Sequence, residues 1–220
     1  MVVTLDPWMT TPIATRAEVA ALVSAPGPKL SAWARRVGSR EPLVHTFHSR
    51  HSGRLTYPLV GIAEASTLNA LRLAGLSMQE IRGTAEYIRA EHDDMFALAS
   101  PKFVTDGTDA FVHDHLGLTR MKDRQMAIRE TVADHLRPLV IGDDGFVQAF
   151  TVERFAFPVT VDPRYNAGQM SFVRNRVPLF AIAGQLAAGE AVPLLMSDFG
   201  LTAEEVLDVQ KHLEWIKKFG

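Results

Sequence analysis

The sequence predicts a mainly α fold with small β-hairpins, with helix-turn-helix outlines at both ends and an α/β segment between them. Three observations predict it. Three capping boxes each precede an apolar pattern of helical period. A helix, a tight turn and a second helix near the N-terminus lead into a β-hairpin with a basic tip. Three further helices joined by short turns fill the last stretch, the spacing of a second helix-turn-helix outline.

The capping boxes are Thr15 with Glu18, Ser77 with Glu80, and Thr202 with Glu205. In each, the hydroxyl accepts from the third helical N–H and the carboxylate reaches back to the cap N–H. Val19, Leu22 and Val23 follow the first box, Ile81, Ala85 and Ile88 the second, and Val206, Val209, Leu213 and Ile216 the third. Those spacings line one face of a helix. After the first helix, Ala25-Pro26-Gly27 breaks the pattern and Pro28 suits the first turn of another helix. Leu30, Trp33 and Val37 give the second helix an apolar stripe, which places Trp33 in the core. Lys29, Ser31, Arg35 and Arg36 lie off that stripe, on the free face.

Val44, Thr46, Phe47, Thr56 and Tyr57 favour strands around the loop "HSRHSGR". A helix-turn-helix followed by a basic hairpin is a winged helix, whose second helix enters the major groove while the hairpin touches flanking backbone. Arg50 and Arg54 are the hairpin's backbone-contacting residues. Gly75 separates two more helices between residues 61 and 94. Further on, "KFVTDGTDAFVH" reads as a hairpin, Ile128, Val132 and Leu136 as a helix, and "FVQAFTV" as a strand. Helices are expected over 177–188 and 193–199, the latter ended by Gly200, before Thr202 caps the last one. The expected domains are 1–92, winged helix; 93–157, a linking and dimerising segment; and 158–220, a small helical domain.

Composition narrows the chemistry. The 220 residues are 47% hydrophobic and 22% charged, ordinary for a globular protein. The absence of cysteine removes disulfides, thiolate metal sites and cysteine nucleophiles. No apolar run reaches the roughly 20 residues needed to span a bilayer, and the N-terminus lacks the pattern of a signal peptide. A cytoplasmic protein without a membrane partner is expected. The net charge of −2 hides a local basic field: Lys29, Arg35, Arg36, Arg40, Arg50 and Arg54 stand against Glu41 alone. Such a field is what contact with a phosphate backbone requires.

Catalytic and metal chemistry find little support. His45, His48 and His51 are three apart and point to opposite faces of a strand, so they read as exposed wing residues rather than ligands. No nucleophile-elbow pattern accompanies the serines. No catalytic residue, metal or cofactor is expected, and the protein is read as a non-enzyme. The stretch "VDPRYNAGQMSFVRNRVP" has its one glycine, Gly168, far from the helix beginning near Pro178, which argues against a phosphate cradle. Its arginines, Arg164, Arg174 and Arg176, either brace the start of the last domain or contact an acidic partner. Trp215 and Phe219, beside Lys217 and Lys218, suit either packing on their own domain or anchoring an acidic surface.

Two resemblances bear on function. The phrases "RAEVAALVSAPGPKLSAWARR" and "LNALRLAGLSMQEIRGTAEYIR", around the hairpin, resemble the MerR-like winged-helix group. The blocks "DPRYNAG", "RNRVP", "IAGQLAAGE" and "DFGLTAEEV" resemble a small family of bacterial antitoxins. Arg176 and Pro178 match that family's Gly-Thr-Arg-Ile-Pro phrase, and Asn175 departs from it. Together they resemble the longer VapB-type antitoxins. That resemblance implies a homodimer on palindromic double-stranded operator DNA, autoregulation, and a cognate PIN-domain ribonuclease toxin as partner. It also implies that Arg164, Arg174, Arg176, Trp215, Lys217, Lys218 and Phe219 face the toxin, whose metal-binding carboxylates a guanidinium neutralises. The alternatives are a winged-helix transcriptional regulator that senses a small molecule, and an interaction module that has lost DNA binding.

Overall fold

The computed structural model describes residues 6–48, 55–100, 134, 137–143 and 145–219. The chain forms two compact units, Met1–Gln148 and Ala149–Gly220. The expected middle hairpin over 102–113, the helix around Ile128 to Leu136, and Arg50, His51 and Arg54 lie outside the described residues.

The first unit opens with α1 (Pro7–Thr10), β1 (Pro12–Thr15), α2 (Arg16–Leu22) and α3 (Gly27–Trp33). The wing follows as β2 (Phe47–His48) and β3 (Leu55–Pro58). β1 and β2 both pair antiparallel with β3, giving the order β1-β3-β2. Thr15 caps α2 through the expected box with Glu18. Pro26 and Pro28 frame the start of α3, whose Leu30 and Trp33 are buried.

Here the structure departs from the sequence expectation. α3 stops at Trp33, and Val37 is 52% exposed rather than part of the stripe. The Trp33 carbonyl accepts from Leu43 N–H at 3.1 Å and Val44 N–H at 3.3 Å, so a returning bend takes the acceptor that would have carried the helix on to residue 37.

Two 15-residue helices follow, α4 (Leu59–Leu73) and α5 (Met78–His92). Ser77 and Glu80 cap α5 as expected. α4 is buried on every side from Leu59 to Leu71, as a helix at the centre of a core must be. β4 (Leu139–Ile141) lies in the first unit, and β5 (Val147–Thr151) runs from its last two residues into the second.

In the second unit, β5, β6 (Val159–Val161) and β7 (Ser171–Phe172) form an antiparallel run, with Phe150 opposite Val161 and Val159 opposite Phe172. Four helices follow: α6 (Leu179–Ala187), α7 (Val192–Phe199), α8 (Ala203–Lys211) and α9 (Leu213–Ile216). Leu179, Ile182, Leu195, Val206, Val209 and Ile216 make the helical core. Gly200 closes α7 at φ +61°, and Thr202 with Glu205 caps α8. No helix among the described residues is long and apolar enough to cross a membrane.

Candidate nucleic-acid and partner interfaces

The first candidate surface is built on α2, its turn and α3. The turn is made by Ser24 in the left-handed region at φ +52°, and the Ala25 N–H returns to the Ala20 carbonyl at 3.2 Å. Lys29 projects from α3 into solvent. Ser31 is half-buried; its hydroxyl accepts from Arg16 Nη1 at 2.8 Å and donates to the Gly27 carbonyl at 3.4 Å. Arg16 thus ties the start of α2 to α3, a contact between residues 15 apart that sequence patterning does not reveal.

Arg35 and Arg36 are exposed but lie just beyond the end of α3, not on it. Arg36 pairs with Glu41, an exposed partner. That hydrogen bond holds the Glu41 carboxyl below its usual range and raises Arg36 further. Arg40 lies 3.5 Å from Glu86.

The root of the wing corrects one expectation. His45 is not an exposed wing residue: it is 8% exposed, packed edge-on to Phe96 at 4.8 Å between ring centres. Its backbone N–H donates to Glu64 Oε2 at 2.7 Å, and its Nδ1 lies 2.8 and 3.0 Å from the two carboxylate oxygens. Glu64 comes from the middle of α4 and is fully buried. A lone carboxylate inside the apolar run "LVGIAEASTLNALRL" was the signal for this pair. A charge there requires a committed partner. Among the described residues, no group of three His, Asp or Glu is placed to hold a metal ion.

The second candidate surface lies in the C-terminal unit, where each arginine of the "DPRYNAG" and "RNRVP" blocks is engaged. Asp162, 3% exposed, accepts from Arg164 Nε at 2.9 Å and Nη2 at 2.8 Å, a two-pronged pair. Those bonds raise the Arg164 guanidinium above its ordinary value. Arg176 reaches the same carboxylate at 3.9 Å and lies over the Tyr165 ring at 4.1 Å. Arg176 sits at φ +60°, and its carbonyl accepts from Asn166 Nδ2 at 2.6 Å. Arg174 is tied elsewhere, donating to the Gly200 carbonyl and to Glu205 Oε2, both at 2.9 Å. Glu205 also accepts from the Thr202 N–H at 2.8 Å. Burial is the largest influence on that carboxyl and pushes it up, but the Thr202 and Arg174 bonds outweigh it and hold it below the usual range.

Trp215 is half-buried, edge-on to Phe155 at 5.9 Å, beside Phe219 at 4.6 Å and under Arg154 at 4.8 Å. Lys217 pairs with Glu214 at 2.5 Å, and Lys218 is exposed. The structure therefore joins Arg164 with Arg176, and Trp215 with Phe219, while Arg174 belongs to the cap of α8.

A strand, two helices across a tight turn and a β-hairpin define the N-terminal unit as a helix-turn-helix domain. Residues 12–85 match the family described as "Putative DNA-binding HTH domain". Along 220 aligned residues, 90% of this chain and 92% of the relative, the sequence is 28% identical to "Putative antitoxin VapB45" of Mycobacterium tuberculosis. The crystal structure of Rv2018 from Mycobacterium tuberculosis resembles the fold with a TM-score of 0.72 and 25% identity, covering 91% of this chain and 98% of that one.

Proposed function

We propose that the protein is a DNA-binding antitoxin. Its helix-turn-helix binds operator DNA as a homodimer and autoregulates its operon, and its C-terminal unit neutralises a PIN-domain ribonuclease toxin. The observation that carries the DNA half is charge placement. Residues 12–85 hold nine Lys or Arg against four Glu, a net of +5, so the rest of the chain carries −7 within a total of −2. A basic domain on an acidic chain suits backbone contact. Lys29, Ser31, Arg35 and Arg36 face the major groove in this reading. Arg50 and Arg54 of the wing hold the flanking backbone.

The toxin half is supported by the similarity to an antitoxin along nine-tenths of the chain. Arg164, Arg174 and Arg176, with Trp215, Lys217, Lys218 and Phe219, form the toxin-facing set. Apart from the exposed Lys218, partners within the unit hold them in place, which lowers the ordering cost of binding. Two measurements test the reading. Gel shifts with the DNA upstream of the gene must show affinity that falls steeply with salt. Co-expression with the neighbouring open reading frame must co-purify a nuclease whose activity is suppressed in the complex. A protein with neither property, stabilised instead by a metabolite, overturns the reading in favour of a small-molecule-sensing regulator.

A further inference from the structure

We infer that Glu64 and Gly61 of α4 are positioning residues for the wing, fixing where the hairpin meets DNA relative to α3; this rests on the DNA-binding reading above. Three observations converge on the three residues Leu43, Val44 and His45, which connect the recognition segment to β2. The Leu43 and Val44 N–H groups donate to the carbonyl of Trp33, the last residue of α3, at 3.1 and 3.3 Å. The His45 N–H and Nδ1 are both held by the buried Glu64 carboxylate at 2.7 to 3.0 Å. The His45 carbonyl lies so close to α4 that a Cβ on Gly61 would stand 2.3 Å from its oxygen.

One end of this strap is bonded to α3 and the other to the scaffold helix. β2 begins two residues beyond His45, and the segment carrying Arg50 and Arg54 follows it. A buried carboxylate on α4 is costly, and an apolar residue of similar size would fill the site without it. What the carboxylate supplies instead is direction: accepting from both a main-chain N–H and the ring of the same residue, it fixes position and orientation together. Gly61 admits the backbone at contact distance, where any side chain would push the strap away.

The test uses the full-length protein and two fluorescent duplexes, one carrying the DNA immediately upstream of its gene and one of scrambled sequence. Glu64→Leu leaves the His45 N–H unanswered. It is expected to weaken binding to the upstream duplex about tenfold, with the salt slope shallower by about two, the share of two backbone arginines. Hydroxyl-radical protection is expected to vanish at the flanks and persist at the centre. Glu64→Gln retains an oxygen for the His45 N–H and an amide for Nδ1, and is expected to bind within about threefold of wild type.

A purely structural role lowers the folded fraction but leaves affinity, slope and footprint per folded molecule unchanged, and that result overturns the inference. Should Glu64→Leu fail to fold, Glu64→Asp carries the same test. Its carboxylate is one methylene short, and a wild-type slope and footprint would sink the proposal. Wild-type protein with no salt-dependent affinity for either duplex overturns the DNA-binding reading and this inference with it. Wild-type binding with unaffected variants overturns this inference alone.

Discussion

Both ends of the chain set two short helices across a turn with one residue in left-handed backbone, and they mount different side chains on them. In the first unit, α2, a tight turn and α3 present Lys29, with Arg35 and Arg36 just beyond the helix. In the second, α7, a turn at Gly200 and α8 present Glu204, the 51%-exposed Leu207, Gln210 and Lys211. The first lies in a region of net +5; the second unit holds seven Lys or Arg against eight Asp or Glu. An outline shared by both ends cannot carry the function, so function is read from the side chains mounted on it. In the proposed function the first surface meets phosphates, whereas an acidic residue beside an exposed leucine repels a phosphate and offers apolar area to a protein.

The largest expected effect breaks or upholds that contrast. Replacing Arg35 and Arg36 together by alanine is expected to lower affinity for upstream DNA at least about tenfold and to flatten the salt slope by up to about two. Glu204→Ala with Leu207→Ala, on the other unit, is expected to leave both unchanged. Fluorescence anisotropy across a salt series measures the pair of variants side by side. Equal losses from both sites would show that the two outlines are not functionally distinct. Arg35 is expected to account for more of the loss than Arg36, whose charge is shared with Glu41.

A second effect belongs to the C-terminal unit. The Glu205 carboxyl is held below its ordinary value in the folded protein. A depressed carboxyl contributes stability that is present above its unfolded value, about 4.3, and is lost as pH falls through the folded value. Thermal unfolding followed from pH 7 to 3 should therefore show acid destabilisation of residues 149–220 beginning below about pH 4.3. Glu205→Gln should remove that limb and cost about 1–2 kcal/mol at neutral pH, through the weakened cap and the lost Arg174 pair. An unchanged acid limb in Glu205→Gln would assign the transition to another carboxylate.

The turns of the two outlines sharpen the comparison at about 1 kcal/mol. Gly200 and Ser24 both adopt left-handed backbone, at φ +61° and +52°. A Cβ at Gly200 would touch nothing within 4 Å, so Gly200→Ala costs conformational strain alone, about 1 kcal/mol. Ser24→Gly relieves the same strain and is expected to stabilise the first turn by up to about 1 kcal/mol. Residue-level hydrogen exchange assigns each change to its own unit.

Much of this fold was legible because its signals are local. The capping boxes at Thr15, Ser77 and Thr202 formed as read, since a cap needs only residues three apart. β1 was missed because Pro12–Thr15 has four residues, begins with proline and is defined by pairing to Tyr57 and Thr56 far along the chain. β6 and β7, of three and two residues, are too short to show alternation. The end of α3 was misplaced because Leu43 and Val44 claim the Trp33 carbonyl, a contact no periodicity contains. The arginines around Asp162 were recognised as a group, but their division into an Asp162 pair and a Glu205 cap depends on β7 folding back. Glu64 was missed: a single carboxylate in an apolar run marks a buried charge, and only the fold supplies His45 as its partner.

The smallest effect concerns Glu41, the single acid in the basic stretch from Lys29 to Arg54. Its pair with Arg36 is exposed, and exposed pairs contribute little to stability because water competes for both charges and the side chains lose rotamer freedom. Its influence on phosphate binding has a different origin. An ionised carboxylate amid six bases lowers the local potential and occupies one guanidinium. Glu41→Gln should therefore leave the melting temperature unchanged while raising DNA affinity about two- to threefold at low salt, an advantage that fades as screening shortens the reach of the field. The same change at Glu204 should do neither. A gain in affinity that persisted at high salt would mean that Glu41 acts through the shape of the loop after α3 rather than through its charge.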